Sequence, residues 1–122
     1  KQALATAQAP AAIGPYSQGI AAGQTVYVPA SFPIDPATGA LPEGIAAQTA
    51  QSLKNIQAIL AEQGMTLADV VKTTVFLADM NDFAEMNKVY GEYFAQPSRA
   101  GAVQVAKLPK GAPLEIECIA VK

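Results

Sequence analysis

Residues 69–94, DVVKTTVFLADMNDFAEMNKVYGEYF, change their apolar period halfway along. Val71, Thr73, Val75 and Leu77 alternate with Val70, Lys72, Thr74, Phe76 and Ala78. Both sets are mostly apolar, as in a strand internal to a sheet. After Met80 the period lengthens: Phe83, Met86, Tyr90 and Phe94 mark one face of an amphipathic helix. Asp82 with Glu85 predicts a capping box at its start, so Asp82 is read as a cap and not as an acid catalyst.

Working outward, "AVQVAK" (102–107) and "LEIECIAV" (114–121) read as two further strands joined by "LPKGAP". Upstream, Ile45, Thr49, Leu53, Ile56 and Leu60 fall on one helical face within Ile45–Gln63, with Ile59 widening it and Gly64 as a stop. "FPIDPATGALPEG" (32–44) is dense in turn residues and reads as loop. "IGPYSQGIAAGQTVYV" (13–28) predicts two short strands around a turn at Ala22–Gln24. The first dozen residues are Ala-rich and weakly patterned. The order β-β-α-β-α-β-β in a single domain, 1–122, predicts an α+β fold, a two-layer sandwich with both helices on one face of a mixed sheet.

The other face of that sheet needs a cover. In "LEIECIAV", Leu114, Ile116, Cys118 and Ala120 share one face, and Glu115, Glu117, Ile119 and Val121 share the other. If the first face packs under the helices, the second leaves an apolar patch carrying two carboxylates. A closed homo-oligomer would bury it, with clefts between subunits as places for a site.

Composition narrows the chemistry. The 122 residues are 51% hydrophobic, enough for one core, and the net charge is −2 with no basic run. That argues against a nucleic-acid groove. The chain has no histidine and one cysteine, Cys118, which argues against a zinc site and excludes Ser-His-Asp or Cys-His catalysis within one chain. An internal disulfide is impossible, as suits a reducing compartment. "KQALATAQAPAAIG" lacks an apolar leader core and opens on Lys1, as expected of a trimmed start, so the expected setting is the cytoplasm. Cys118, in an apolar strand without a nearby cation, is expected to be an inert core residue.

The segments "APAAIGPYSQGI", "IDPATG", "QTAQSLKNIQAIL", residues 69–94 and "VQVAKLPKGAPLEIECIAV" together resemble the Rid family of reactive intermediate deaminases, also called the YjgF or L-PSP endoribonuclease family. The resemblance spans nearly the whole chain. It implies a chorismate mutase-like two-layer sandwich assembled as a homotrimer with clefts between subunits. It also implies cofactor-free hydrolysis of enamine and imine intermediates, such as 2-aminoacrylate and 2-aminocrotonate, to 2-oxo acids and ammonia. Pyridoxal-phosphate enzymes release such intermediates.

Carried over by residue, Tyr16 matches the family's cleft tyrosine, and Arg99 of "PSR" matches the arginine that grips the substrate carboxylate. Arg99 is the only arginine beside seven lysines, and its planar fork suits a carboxylate. Glu115 matches the residue that positions the attacking water. Asn87 matches a recurrent asparagine near the cleft, with a smaller role. Backbone amides near Ala100 to Ala102 would meet developing charge.

Two departures from the family pattern stand out. "VPASFP" places Pro29, Ala30 and Ser31 where many members have Ser-Gly-Gln. Pro29 lacks an N–H, so its strand should be an edge or interrupted, and Ser31 could supply a hydroxyl on the face opposite position 29. Between Arg99 and Val103 lie three residues where the family usually has two. A bulge at Gly101 would absorb the extra one; without it Arg99 would change face. A catalytically weak trimeric small-molecule-binding or regulatory protein is the alternative function. Ribonuclease action, suggested by the older family name, fits poorly with an acidic chain lacking histidine.

Overall fold

The period change within residues 69–94 becomes strand β4 (Val70–Leu77) and helix α2 (Phe83–Tyr93), the junction from which the fold is assembled. The computed structural model describes residues 1–95 and 99–122, with the side chains of Ser31, Arg99 and Ala100 outside the description. The remaining elements are β1 (Gln2–Leu4), β2 (Gly19–Ala22), β3 (Thr25–Ser31), α1 (Ile45–Ala61), β5 (Arg99–Gln104) and β6 (Leu114–Val121). They form one six-stranded sheet in the order β1-β2-β3-β6-β4-β5. All pairings are antiparallel except β4 with β5, which closes a parallel crossover through α2.

Both helices cover one face. Ile45, Leu53, Ile56, Ile59 and Leu60 of α1 and Met86 and Tyr90 of α2 are buried with Val75, Leu77, Leu114, Ile116 and Cys118 from the sheet. The α1 stripe read from sequence is the observed one. α1 also buries Gln48, Ser52 and Asn55, because the 32–44 loop lies over its flank. Gln48 Nε2 donates to the Pro42 carbonyl (2.7 Å) and Asn55 Nδ2 to that of Ile34 (2.9 Å), supplying partners that a loop cannot provide for itself. The opposite face of the sheet exposes Val103 and Val121, together with Tyr27 at 48%. Within one chain, the apolar face foreseen from "LEIECIAV" stands open.

Four expectations need correction. The N-terminal residues are not featureless: β1 adds an edge strand, pairing Leu4 with Gly19, and its three residues are too few to show a period. The Asp82–Glu85 capping box does not form. A 3-10 turn (Met80–Asp82) precedes α2, and the Asp79 carboxylate caps that turn by accepting from the Asn81 N–H at 2.9 Å. The capping box lies instead at Thr66 and Asp69, before β4. β5 begins at Arg99 rather than Ala102, and no bulge forms at Gly101: its pairing with β4 is continuous from Lys72↔Arg99 to Leu77↔Gln104.

The interruption expected from Pro29 is present. β3 lies between β2 and β6, and its register with β6 shifts between Val28↔Cys118 and Ser31↔Ile116. Three steps on β3 therefore match two on β6. The extra residue falls at Pro29–Ala30, where a missing donor does least damage to the ladder. No helix among the described residues is long and apolar enough to cross a membrane.

Candidate functional site

A cavity of about 950 Å³ opens on the face of the sheet turned away from the helices. Residues 10–18 form one wall, the interrupted end of β3 another, and β4 and β6 the floor. Tyr16 and Ile13 on the first wall meet Tyr27, Pro29 and Ala30 on the second. The charged groups are few: Glu115 and Glu117 from β6, Lys72 from β4, and Lys110 from the turn before β6, with Ser17, Gln18, Thr73 and Thr74 adding uncharged polar atoms. An apolar enclosure with a few convergent polar groups is the usual form of a small-ligand site.

Glu115 reaches this cavity through the alternation of β6. Leu114, Ile116 and Cys118 point under the helices, so Glu115 and Glu117 point the other way. Glu115 is only 8% exposed, and burial raises its carboxyl above the ordinary value of 4.5 because a desolvated carboxylate is disfavoured. It is the one carboxylate buried among the described residues. Once ionised, a carboxylate with a raised pKa is a stronger base toward bound water than an exposed glutamate.

Tyr16, 74% exposed, sits on the wall at residues 10–18, and it and Glu115 line the same cavity. Pro29 and Ala30 line it as well. Asn87 does not join them within one chain: it is exposed on α2, on the helical side of the sheet. Ala102 is exposed on the edge strand β5, outside the cavity lining. The Val105 N–H donates to the Leu77 carbonyl at 2.9 Å. Since bonded residues alternate along a parallel ladder, Ala102 turns its own amide to the open edge. The Arg99 backbone pairs with Lys72, itself a cavity residue, while the Arg99 side chain lies outside the described residues. The same holds for Ser31, whose register partner is Ile116.

Sequence reading gave no weight to two charged cavity residues, Lys72 and Lys110. Lys72 belongs to the outward set of β4, a signal present in the alternation but given no weight. Lys110 has left-handed backbone (φ 58°) and places its ammonium 5.4 Å from the Phe32 ring centroid, an arrangement with no sequence signature. Among the described residues no cluster of His, Cys, Asp or Glu could hold a metal ion.

Comparison with known proteins places this geometry in context. A RutC family protein of Pyrococcus horikoshii is 52% identical over 125 residues, covering 100% of this chain and 98% of its own. The 2-iminobutanoate/2-iminopropanoate deaminase of Salmonella typhimurium is 48% identical over 124 residues, covering 98% of this chain and 96% of its own. The crystal structure of Escherichia coli TdcF with bound serine matches with a TM-score of 0.97 at 42% identity, covering 100% of this chain and 99% of that one. The family model for endoribonuclease L-PSP matches residues 6–122, and the chain belongs to that family.

Proposed function

We propose that the protein hydrolyses small 2-imino acids, formed from enamines such as 2-aminoacrylate and 2-aminocrotonate, to 2-oxo acids and ammonia. The observation that carries this reading is Glu115, a carboxyl with raised pKa buried in an apolar cavity. Similarity to the Salmonella typhimurium deaminase supplies the substrate class.

The chemistry is modest. The enamine tautomerises to the imine, whose carbon is already electrophilic. Arg99 holds the substrate carboxylate in a bidentate pair. Glu115 positions water; the water oxygen bonds to the imine carbon while its proton passes to the Glu115 carboxylate and the nitrogen takes a proton from solvent. The carbinolamine then collapses: the C–N bond breaks, nitrogen leaves as ammonia with the proton held by Glu115, and the hydroxyl becomes the ketone after losing its proton to solvent. Tyr16 and Ser31 contribute to substrate binding. Asn87 and the edge amide of Ala102 take part from a neighbouring subunit, in a homotrimer that covers the open face of the sheet. Substrates come from pyridoxal-phosphate enzymes of the cytoplasm, and no cofactor is used.

A second reading, a trimeric small-molecule-binding or regulatory protein, draws support from the serine bound in TdcF. The deciding assay generates 2-aminocrotonate and 2-aminoacrylate in situ with a dehydratase and compares wild type, Arg99→Ala, Arg99→Lys and Glu115→Gln with uncatalysed decay. Acceleration by wild type and loss in the variants is expected. A wild-type rate equal to the uncatalysed one sinks the deaminase reading and leaves the binding protein.

A further inference from the structure

Gln18 takes the place of a peptide group at the neck of the loop that walls the cavity. The β1–β2 ladder stops at Leu4↔Gly19. Where the next pair would form, the Gln18 side chain replaces it: Oε1 accepts from the Thr6 N–H at 2.6 Å, and Nε2 donates to the Thr6 carbonyl at 3.0 Å. Nε2 also donates to the carbonyls of Ala9 (3.1 Å) and Pro10 (2.7 Å), so its two N–H groups are shared among three acceptors.

Those contacts close a loop. Residues 11–17 leave the sheet without regular structure, bounded on one side by Pro10, held by Gln18, and on the other by Gln18 itself. Tyr16 sits on this loop, its ring 3.5 Å from where a Cβ on Gly14 (φ +83°) would lie. The strand that follows the loop lies close on α1, where a Cβ at Gly19 would come within 2.8 Å of Ile59 Cγ2. A loop tied at its neck by its own side chains keeps a defined shape without a ladder.

We infer that Gln18 is a positioning residue: its amide fixes the 11–17 loop, and through that loop sets the place of Tyr16 over the substrate. The inference rests on the deaminase reading only for its kinetic readout. Gln18 lines the cavity, but its amide is taken up by Thr6, Ala9 and Pro10, so its loss acts on the shape of the wall and not on proton transfer at Glu115. Uniform loss of binding raises KM and leaves kcat nearly unchanged.

The test compares wild type with Gln18→Met, which keeps the volume and loses the amide, and Gln18→Glu, which keeps the acceptor for Thr6 and loses both donors. KM and kcat for in situ 2-aminocrotonate are measured well below each variant's melting temperature, with amide hydrogen exchange recorded across residues 6–17. Expected is a fall in kcat/KM of roughly 10- to 100-fold in Gln18→Met, carried by KM. Faster exchange at the Thr6 amide should accompany it, with β3 and β6 amides still protected. Gln18→Glu should retain slow Thr6 exchange yet share the raised KM, because the Ala9 and Pro10 carbonyls lose their donor. Wild-type KM in both variants overturns the inference, as does wild-type exchange at Thr6 in Gln18→Met. A wild type without deaminase activity removes the functional reading alone, and the exchange data then decide whether Gln18 fixes the wall.

Discussion

Glu115 on β6 pairs with Phe76 on β4 directly across the ladder, so the buried carboxyl has an aromatic ring as its cross-strand neighbour. Cross-strand neighbours share a face at about 5 Å between Cβ atoms, and a ring there solvates a carboxylate far less well than water. Glu115 therefore keeps its proton to a higher pH in the folded chain than in the unfolded one. Below the ordinary glutamate value of 4.5 both states are protonated and the group costs nothing. As pH rises through the folded value, ionisation has to be borne inside the cavity and stability falls. Glu115→Gln, neutral and nearly isosteric, should melt above wild type at about pH 7, with the gap closing toward about pH 4. Thermal melts across that range decide it; a gap of constant size would mean that packing, not charge, sets the difference. Under the proposed mechanism the same substitution should abolish deaminase activity, so stability would rise as activity is lost.

Gly19 and Ile59 mark where β2 and α1 approach too closely for a side chain at position 19. A Cβ at Gly19 would lie 2.8 Å from Ile59 Cγ2, and that methyl branches next to the backbone of a buried helix. It cannot swing away like the end of a long side chain. Gly19→Ala should cost roughly 1–3 kcal/mol from overpacking. Ile59→Ala removes the methyl and should cost about 2–5 kcal/mol alone, yet the double variant should lie well short of the summed single losses. Urea titrations of all four proteins give the coupling energy. Strict additivity would mean that the strand moves instead.

How much of the fold and site is legible in the chain depends on which contacts are local. The period of Ile45, Leu53, Ile56 and Leu60 and the alternation in residues 114–121 report burial directly, and both elements stand where the sequence puts them. That alternation by itself also sends Glu115 to the face opposite Cys118, which is the cavity side. The capping before α2 is not legible, because Asp79 and Asp82 are equally plausible by type: Asp79 caps the 3-10 turn at Met80–Asp82, and Asp82, at the start of α2, makes no side-chain cap bond. β1 is hidden because its three residues gain their order from β2, a non-local partner. The register of β5 is hidden for the same reason: β4 fixes it, and spacing within residues 99–103 carries no sign of that. Gln18 lies in plain view in "GPYSQG", but four bonds to residues 6–10 are invisible to any periodicity.

Thr73 and Tyr90 tie α2 to the sheet through hydroxyls 2.7 Å apart in a buried layer. Thr73 belongs to the inward set of β4, and Tyr90 is stacked on Phe94 with centroids 4.5 Å apart. Tyr90→Phe keeps the ring and should cost about 1–2 kcal/mol, since the Thr73 hydroxyl stays buried with a partner missing. Thr73→Val should cost a similar amount. The double variant, with both hydroxyls gone, should cost less than the two losses added together. A double-mutant cycle read by chemical denaturation gives the coupling, and a value near zero would mean that the pair adds nothing beyond packing.

Cys118 is 3% exposed on the helical side of β6, and burial pushes its thiol up to about 12, with the Glu117 carboxylate next door adding to the shift. Thiolate is the reactive form, so two barriers stand between this sulfur and any reagent: access and ionisation. Labelling of the native protein by a small disulfide reagent at about pH 8 should therefore follow the opening of the sheet, slowing as stability is raised and speeding in Gly19→Ala. Of the two causes, burial comes first. Glu117→Gln removes only the second, and it should leave native-state labelling within a few-fold of wild type when the two proteins are equally stable. If Glu117→Gln instead makes the thiol react promptly in the folded protein, charge and not burial protects it. The rate would then report local electrostatics on the open face of the sheet, and no longer global unfolding.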